Sequence, residues 1–291
     1  MNTEQKKWFY LFLLALTWGS SFILIKKGLL GLSPFQLGSL RTVMSSLFIF
    51  TIGFKSLKTI KSHQWKWIII TGFIGTFFPS FLFAFAETEV DSGIVSILNS
   101  LVPLNTVLIG LAVFKITSTK TQVFGVILGF VGASMLIFNS MELHPDQNYL
   151  YAGFVILATV MYASSVNIIK RYLQDVKPIA IATGNFVAII IPAILVLSFS
   201  NFFTTETFQN DTIYMSIGSV VILSLFGTVM AKIIFNSLIQ ISSPVFASSV
   251  AYLMPLVALL WGLLDGEVFG INQGLASSLI LLGVYLVNKK A

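Results

Sequence analysis

Apolar residues in this chain fall into ten separate blocks of about 20 residues, which take up most of its 291 positions. A helix of about 20 apolar residues is long enough to cross the roughly 30 Å hydrocarbon core of a bilayer. Only 10% of the residues are charged, whereas a soluble domain has roughly 25%. The blocks therefore predict an all-α integral membrane protein with ten transmembrane helices and little room for a soluble domain.

The boundaries of the predicted helices follow these blocks. Pro34 and Pro178 each open a block, which suits the first turn of a helix, where proline removes no intrahelical hydrogen bond. Lys6 and Lys7 precede the first block as in a secretory signal, but no small-residue cleavage site follows it, so an uncleaved helix is predicted. The ten predicted helices span residues 8–26, 34–54, 66–86, 92–114, 121–139, 150–170, 178–199, 213–239, 244–264 and 270–288.

The segments between the blocks separate the charges by sign. If the N-terminus is cytoplasmic, 13 of the 17 Lys and Arg residues lie in inner segments and only Lys26 and Lys27 lie in outer ones. This positive-inside bias supports the count of ten helices and predicts that both termini are cytoplasmic. Among the acidic residues, only Glu4 and Asp175 fall inside. The inner basic residues are Lys6, Lys7, Lys55, Lys58, Lys61, Lys66, Lys115, Lys120, Lys170, Arg171, Lys177, Lys289 and Lys290.

The two halves of the chain resemble each other. A shift of 144 residues places the motif at 18–21 (WGSS) over 162–165 (YASS), and a shift of 152 places 75–76 (GT) over 227–228 (GT). Each half holds five predicted helices, so the second half enters the membrane from the opposite side. The sequence therefore predicts two inverted repeats, 1–145 and 146–291. In secondary transporters with such repeats, the solute site lies between them near the middle of the bilayer.

Several motifs carry a family resemblance: residues 18–22 (WGSSF), Pro34 with Arg41, Pro103, and residues 251–255 (AYLMP). In this order they make the sequence similar to the EamA type of the drug/metabolite transporter superfamily over nearly its whole length. The resemblance implies an exporter-like carrier with a central cavity lined by helices 1–4 and 6–9, and with helices 5 and 10 at the periphery. The family often has an acidic residue after helix 4, matching Glu267 after helix 9, but here Lys115 stands near that place.

The resemblance leaves the substrate open, because family members carry amino acids, other metabolites, nucleotide-type compounds or drugs. The predicted function is export of small polar metabolites such as amino acids by alternating access. A nucleotide-sugar or drug carrier is the alternative on the same fold, and a membrane-embedded sensor is the alternative from another class. The predicted partners are the lipid bilayer of a bacterial inner membrane and a small solute, without nucleic acid. The oligomeric state stays open, and a monomer is compatible with the sequence.

Two charged residues, Arg41 and Lys232, fall inside predicted helices, where a charge usually faces a cavity or a partner. Arg41 lies seven residues into the second helix, about 10 Å below its outer end at 1.5 Å per residue. It is predicted to bind a carboxylate or phosphate as a bidentate fork. Alternatively, it extends outward or pairs with Glu87 or Glu89 at the rim.

Lys232 belongs to a polar stripe on one face of the eighth helix, with Thr228, Asn236 and Gln240 at i−4, i+4 and i+8. Such a stripe predicts a cavity wall or a polar contact with another helix. The third helix carries Thr76, Ser80, Ala84 and Thr88 at the matching repeat positions. Together Arg41 and Lys232 would make the cavity positive, which favours anionic or zwitterionic solutes.

The fourth helix has Ser92, Ser96, Asn99 and Pro103 on one face, and Pro255 is the repeat partner of Pro103. Each proline removes an amide donor and frees a carbonyl four residues earlier. The two prolines are therefore candidate gating kinks, with a static packing kink as the alternative. Among the aromatic residues, Trp18, Tyr162 and Tyr252 are predicted to line the pocket with apolar walls and polar tips.

The glycines of the fifth helix, Gly125, Gly129 and Gly132, predict close helix packing, with Gly274 and Ser278 as an echo in the tenth. No enzyme motif, cofactor motif or metal cluster occurs in the sequence, which has no Cys and only His63 and His144. No enzymatic activity, cofactor or metal is therefore predicted. Proton coupling lacks a mid-membrane acid, and Glu87 at the rim is the nearest candidate.

Overall fold

The computed structural model describes residues 2–114, 119–143 and 146–288, and within these ranges all regular structure is helical. Helix α1 (Thr3–Gly28) begins at a capping box in which Asn2 and Gln5 bond each other's backbone amides. Helix α2 (Pro34–Gly53) begins with the same device, formed by Ser33 and Gln36, and has Pro34 in its first turn.

The later helices are named in chain order. In the first half they are α3 (Trp65–Gly72), α4 (Phe78–Ala86), α5 (Ser92–Asn99), α6 (Val102–Phe114) and α7 (Lys120–Leu143). In the second half they are α8 (Ala152–Tyr172), α9 (Pro178–Phe199), α10 (Thr205–Gln209), α11 (Ile213–Ile222), α12 (Ala231–Ile241), α13 (Pro244–Ser248), α14 (Val250–Leu264) and α15 (Ile271–Asn288).

Eight helical stretches of the described chain are long and apolar enough to cross a membrane. Two further helices, α7 and α15, contain shorter apolar stretches, Ile127–Leu136 and Ile271–Gly283. The structure therefore supports eight of the ten predicted crossings by length and composition, and the crossing by α7 and α15 stays a prediction. The eight stretches are Thr3–Gly28, Pro34–Thr59, Ser62–Ala86, Ser92–Phe114, Tyr149–Tyr172, Pro178–Phe199, Ile213–Ile241 and Pro244–Leu264.

Two of these stretches are interrupted by π-helix, the wider helical turn with an i→i+5 hydrogen bond. The first π segment (Phe73–Phe77) joins α3 to α4, and the second π segment (Leu223–Met230) joins α11 to α12. Pro79 follows the first π segment and has no amide donor for the carbonyl of Gly75 four residues before it. The two π segments contain the two Gly-Thr pairs that the sequence comparison placed at equivalent positions.

Packing divides the molecule into a central group of helices and a peripheral pair. Helix α1 packs against α14 and the Ile213–Ile241 stretch, while α8 packs against the Ser62–Ala86 stretch, α5 and α6. Helices α2 and α9 pack against each other beside them. Helices α7 and α15 pair with one another at the side of this group.

The contact between α7 and α15 depends on glycine. A Cβ atom added at Gly283 would lie 2.5 Å from the carbonyl oxygen of Gly125 and 2.5 Å from the amide nitrogen of Gly129. The predicted close-packing role of the α7 glycines is therefore supported by geometry. Gly274 and Ser278, the predicted echo of this motif on α15, lie outside the tight contact, because an added Cβ at Gly274 would have one neighbour, at 3.9 Å, and Ser278 is exposed. Gly283 takes that place.

Candidate functional site

A cavity of about 120 Å³ lies between the central helices. Both halves of the chain contribute to its walls, from α1, α2, the first π segment, α4, α5 and α6 on one side and from α8, the second π segment, α12, α13 and α14 on the other. Its lining contains two cations, Arg41 and Lys232, and no acidic or histidine side chain among the described residues.

The structure brings most of the predicted site residues to this cavity. Nine of them line it: Trp18, Arg41, Thr76, Ser80, Asn99, Tyr162, Thr228, Lys232 and Asn236. Ser96 and Tyr252 do not belong to the lining. Ser96 is buried on the fully enclosed helix α5, and Tyr252 packs against the hydrophobic core.

Lys232 reaches from α12 to the first π segment. Its side chain is 9% exposed, and its Nζ donates hydrogen bonds to the carbonyl oxygen of Gly75 (3.1 Å) and to Oγ1 of Thr76 (2.5 Å). The carbonyl of Gly75 is free to accept because Pro79 offers it no amide. Lys232 was predicted to form either a cavity wall or a polar contact with another helix. In the structure the same side chain does both, because it lines the cavity and bonds a neighbouring helix.

Arg41 reaches from α2 to the second π segment. Its Nε donates a hydrogen bond to Oγ1 of Thr228 at 2.9 Å, and the Thr228 hydroxyl itself donates to the carbonyl of Leu223, five residues earlier. Arg41 forms no ion pair with Glu87 or Glu89 in the described part of the chain, so the predicted rim pairing was wrong. The guanidinium is held inside the protein by a neutral hydroxyl.

Glu87 is the acidic residue nearest to this arrangement. Its side chain is buried at the end of α4, and it forms no ion pair with Arg41. Neither carboxylate oxygen accepts a hydrogen bond from a described side chain, and neither has appreciable exposed surface. Glu87 is therefore not part of the cavity lining.

The two Gly-Thr pairs each receive a serine from the opposite half of the chain. A Cβ atom added at Gly75 would lie 2.5 Å from Oγ of Ser165, and one added at Gly227 would lie 2.6 Å from Oγ of Ser21. Gly227 also accepts a hydrogen bond from Nε1 of Trp18 at 2.8 Å. Glycine is required at both positions because the crossing helices approach so closely.

These serine contacts were missed as site features in the sequence. Ser21 and Ser165 line the cavity together with Gly75 and Gly227, and a signal for them was present. The two serines coincide under the 144-residue shift, and the two glycines coincide under the 152-residue shift. Repeated small residues beside repeated cation-binding threonines mark the place where helices cross.

Apolar side chains make up the rest of the cavity wall. Tyr162 stacks on Phe83 with ring centroids 5.9 Å apart, and Trp18 meets Phe235 edge-on at 4.9 Å. Met254 adds a thioether that lies 3.8 Å from the amide nitrogen of Asn99. The cavity therefore combines a positively charged patch with apolar walls.

The predicted kinks take different forms in the two halves. Before Pro103 the helix is interrupted at Ser100 and Leu101, between α5 and α6. Pro255 lies within the continuous helix α14, and the interruption in that stretch occurs earlier, at Ser249. Pro103 therefore stands beside a break and Pro255 does not, and a gating role for either stays a prediction.

A second group of charges, which we call the carboxylate cluster, comprises Lys26, Lys27, Asp265 and Glu267. Lys26 pairs with Asp265 at 3.0 Å and with Glu267 at 2.9 Å, and Lys27 pairs with Asp265. The cluster lies at the predicted outer end, where α1 ends and α14 is followed by a turn. The hydrogen bond from Lys27 holds the pKa of the Asp265 carboxyl below its ordinary value, and Lys26 adds to this effect although partial burial opposes it.

Glu267 also binds the beginning of α5. Its carboxylate accepts hydrogen bonds from the amide (3.2 Å) and hydroxyl (2.7 Å) of Ser92 and from the amide of Gly93 (3.2 Å). A carboxylate is favourable there because the first amides of a helix lack intrahelical partners and carry partial positive charge. Glu267 thus joins α1, α5 and the end of α14 through a single side chain.

Lys170, the repeat equivalent of Lys26, meets no acid in the described part of the chain. Its Nζ donates to the carbonyls of Ile239 (3.2 Å), Gln240 (3.4 Å) and Ser242 (2.7 Å) at the end of α12, and contacts Gln174 at 3.4 Å. Lys115, which stands near the place of the expected acid, lies outside the described residues, as does His144.

Comparison with known proteins identifies the relatives of this chain. The model of the EamA-like transporter family matches it twice, over residues 5–138 and 150–289. An uncharacterized transporter of Archaeoglobus fulgidus is 27% identical, with 98% of this chain and 100% of that protein aligned. The uncharacterized inner membrane transporter YedA of Escherichia coli is 26% identical over 95% of this chain and 89% of its own length. Protein PecM of Dickeya dadantii is 25% identical over 93% and 86%, respectively.

A solved crystal structure resembles the whole fold. It aligns with a TM-score of 0.68 over 96% of this chain and 95% of its own, at 16% sequence identity. At this identity the likeness concerns the arrangement of helices. The eight apolar stretches, the family match and the membrane-transporter relatives together make this chain a multi-pass membrane protein.

Proposed function

Because this chain belongs to the EamA-like transporter family, we propose that it is a secondary transporter that carries a small polar metabolite, such as an amino acid, across the inner membrane. The observation that carries the proposal is the cavity between the two halves of the chain, lined by buried polar side chains and by both intramembrane cations. A buried polar pocket surrounded by apolar helices is costly unless it serves a solute.

The proposed mechanism is alternating access between two inverted five-helix repeats, residues 1–145 and 146–291, with ten membrane crossings and cytoplasmic termini. The two matches of the family model, one in each half, support the division. The contacts of Ser21 with Gly227 and of Ser165 with Gly75 support it as well, because each joins one half to the other at equivalent positions. Movement of one group of helices against the other would open the cavity to each side in turn.

Export is the proposed direction, and facilitated flux or exchange is proposed in place of proton coupling. Proton relays in membranes usually use buried Asp, Glu or His, and the cavity has none in its described lining. The size of the cavity, about 120 Å³, favours a small metabolite over a nucleotide sugar, because an engineered cavity of about 150 Å³ binds a ligand of the size of benzene. A larger drug or nucleotide sugar would require a wider conformation.

The proposal is tested by comparing the metabolites that leave cells with and without the protein, without choosing candidates beforehand. The compound with the largest difference is then loaded into proteoliposomes, and its exchange is followed with labelled substrate. We expect protein-dependent exchange that saturates. A Glu206→Gln variant, altered at an exposed acid of α10 on the predicted outer side, serves as the control and should exchange normally. If no compound depends on the protein in cells or in proteoliposomes, the transport function is wrong.

A further inference from the structure

Lys232 is a buried cation and Arg41 is a half-buried one, and among the described residues both donate hydrogen bonds only to neutral oxygen atoms. Within the described residues neither forms an ion pair, and both line the same cavity. An uncompensated charge inside a protein is costly. We propose that Arg41 and Lys232 together bind the negatively charged group of a small organic anion, and that the protein takes monocarboxylates in preference to zwitterionic amino acids. This inference rests on the proposed transport function and narrows its substrate class.

Both cations keep hydrogen-bond donors available for an anion. Arg41 uses its Nε on Thr228, and its two terminal amino groups, which carry four N–H donors, bond no group in the described ranges. Lys232 uses two of its three donors, on Gly75 and Thr76. The guanidinium fork can therefore bind a carboxylate through both of its oxygens. Lys232, which lines the same cavity, offers a further donor.

The two cations are held in place by matching parts of the two halves. Thr76 and Thr228 occupy the two π segments, and each accepts a hydrogen bond from a cation that belongs to a different helix. Thr228 also lies on the same helical stretch as Lys232, four residues before it. The arrangement fixes both positive groups before a ligand arrives, which reduces the cost of binding.

The lining has no partner of opposite charge for an ammonium group. Its described acceptors are neutral, such as the Asn99 side-chain oxygen, which has no hydrogen-bond partner. Glu87 is the nearest acid, and its carboxylate oxygens are covered. An amino acid would thus neutralise one cation while bringing a second unpaired positive charge into the cavity. An anion of the same shape brings no such charge.

The apolar walls indicate what the rest of the solute is like. Phe83, Tyr162, Phe235 and Met254 line the cavity, and the side-chain amide nitrogen of Asn99 lies 3.8 Å from the Met254 thioether. An aliphatic or aromatic body would exclude water from them and gain roughly 25 cal/mol per Å² of buried apolar surface. The inferred ligand is therefore a carboxylate at one end and a compact hydrocarbon at the other.

The test uses four compounds with one branched carbon skeleton and different charges. They are 2-hydroxyisovalerate (anion), valine (zwitterion), valinol (cation) and 3-methylbutane-1,2-diol (neutral). Each is titrated into the purified full-length protein in detergent while the thermal unfolding midpoint is measured, because a ligand that binds the folded state raises that midpoint. We expect 2-hydroxyisovalerate to raise the midpoint at a concentration at least about tenfold lower than valine, and the other two to have no effect.

Variants connect the effect to the two cations. Lys232→Met and Arg41→Gln should each abolish the shift caused by 2-hydroxyisovalerate, whereas Arg41→Lys should weaken it by about tenfold because the fork is lost. Glu206→Gln, at an exposed acid of α10, is the control and should leave the shift unchanged. Size-exclusion profiles and midpoints measured without ligand establish that each variant is folded, and Arg41→Lys keeps the test decisive if either neutral variant fails to fold.

The outcomes separate this inference from the transport function. Equal or stronger stabilisation by valine overturns the preference for anions while leaving transport intact. Absence of any shift with 2-hydroxyisovalerate, or an unchanged shift in Lys232→Met and Arg41→Gln, overturns the anion site. If cells and proteoliposomes show no protein-dependent flux of any compound, the proposed function fails instead, whatever the binding results are.

Discussion

Two pairs of cations in this protein have different kinds of hydrogen-bond partners. At the predicted outer end, Lys26 and Lys27 pair with the carboxylates of Asp265 and Glu267. Inside the cavity, Arg41 and Lys232 contact only hydroxyl and carbonyl oxygens. A paired cation holds helices together and has little left to offer a solute. An unpaired cation in a cavity keeps its charge and its hydrogen-bond donors available to a solute.

The difference suggests two distinct tasks. The carboxylate cluster joins the end of α1 to the start of α5 and to the turn after α14, so it stabilises the packing of these elements at that end. The repeat equivalent of Lys26 is Lys170, which binds backbone carbonyls at the opposite end. Carbonyls carry only partial charges, so the two ends of the molecule are held with different strengths.

The largest expected effect comes from removing a cavity cation. In Lys232→Met, transport of the solute identified in cells should fall by about 10- to 100-fold, since a hydrogen bond to a charged group contributes roughly 1.5–3 kcal/mol. Initial rates of exchange in proteoliposomes measure this. The matched control is Lys177→Met, an exposed lysine just before α9 that does not line the cavity. Equal losses in both variants would contradict a special role for Lys232.

Breaking the carboxylate cluster should affect stability more than solute binding. Glu267→Gln removes the negative charge that meets Lys26 and the first amides of α5, and we expect the free energy of unfolding to fall by about 1–3 kcal/mol. Thermal unfolding in detergent measures the change. Glu206→Gln alters an acid on α10 that forms no ion pair with any described residue, and it should unfold like the wild type. An unchanged unfolding midpoint in Glu267→Gln would show that the cluster contributes nothing to the stability of the folded protein.

The close approach of helices beside Lys232 can be tested through Gly75. In Gly75→Ala the added methyl group meets Ser165, 2.5 Å away, and overpacking of this kind costs about 1–3 kcal/mol. Adding Ser165→Ala should recover part of the lost stability, because the hydroxyl that clashes is removed. The control is Gly218→Ala, since nothing lies within 4 Å of a Cβ atom there. Equal destabilisation in both alanine variants would contradict the crowding argument.

The smallest expected effect is the pH dependence of the carboxylate cluster. The pKa of Asp265 is lowered below 3.8 by its lysine partners, so the folded state binds a proton less readily than the unfolded state. The stability contributed by this group is therefore present above the ordinary carboxyl pKa and is lost as the pH falls through the lowered value. The difference in midpoint between wild type and Asp265→Asn should be constant near pH 7 and shrink below about pH 4. A difference that grows on acidification would contradict a lowered pKa of Asp265 in the folded state.

Much of this protein can be predicted from local sequence, because a bilayer imposes a strict rule on each segment. Eight of the predicted crossings have the length and apolar composition required, and the positions of Arg41 and Lys232 inside helices single them out. The family match follows from motifs that are local as well. The repeated Gly-Thr and serine pairs were visible in the sequence, although their contact with each other was not.

Only the tertiary structure determined which groups meet. Arg41 donates to Thr228 and forms no ion pair with Glu87. Lys26 pairs with Glu267, which lies 241 positions away in the sequence. Ser96 and Tyr252 do not line the cavity. Hydropathy indicates which segments cross the membrane. It carries no information about the rotation of a helix around its axis or about breaks such as the π segments. Those depend on how neighbouring helices pack, and that packing decides which cation is paired and which stays available to a solute.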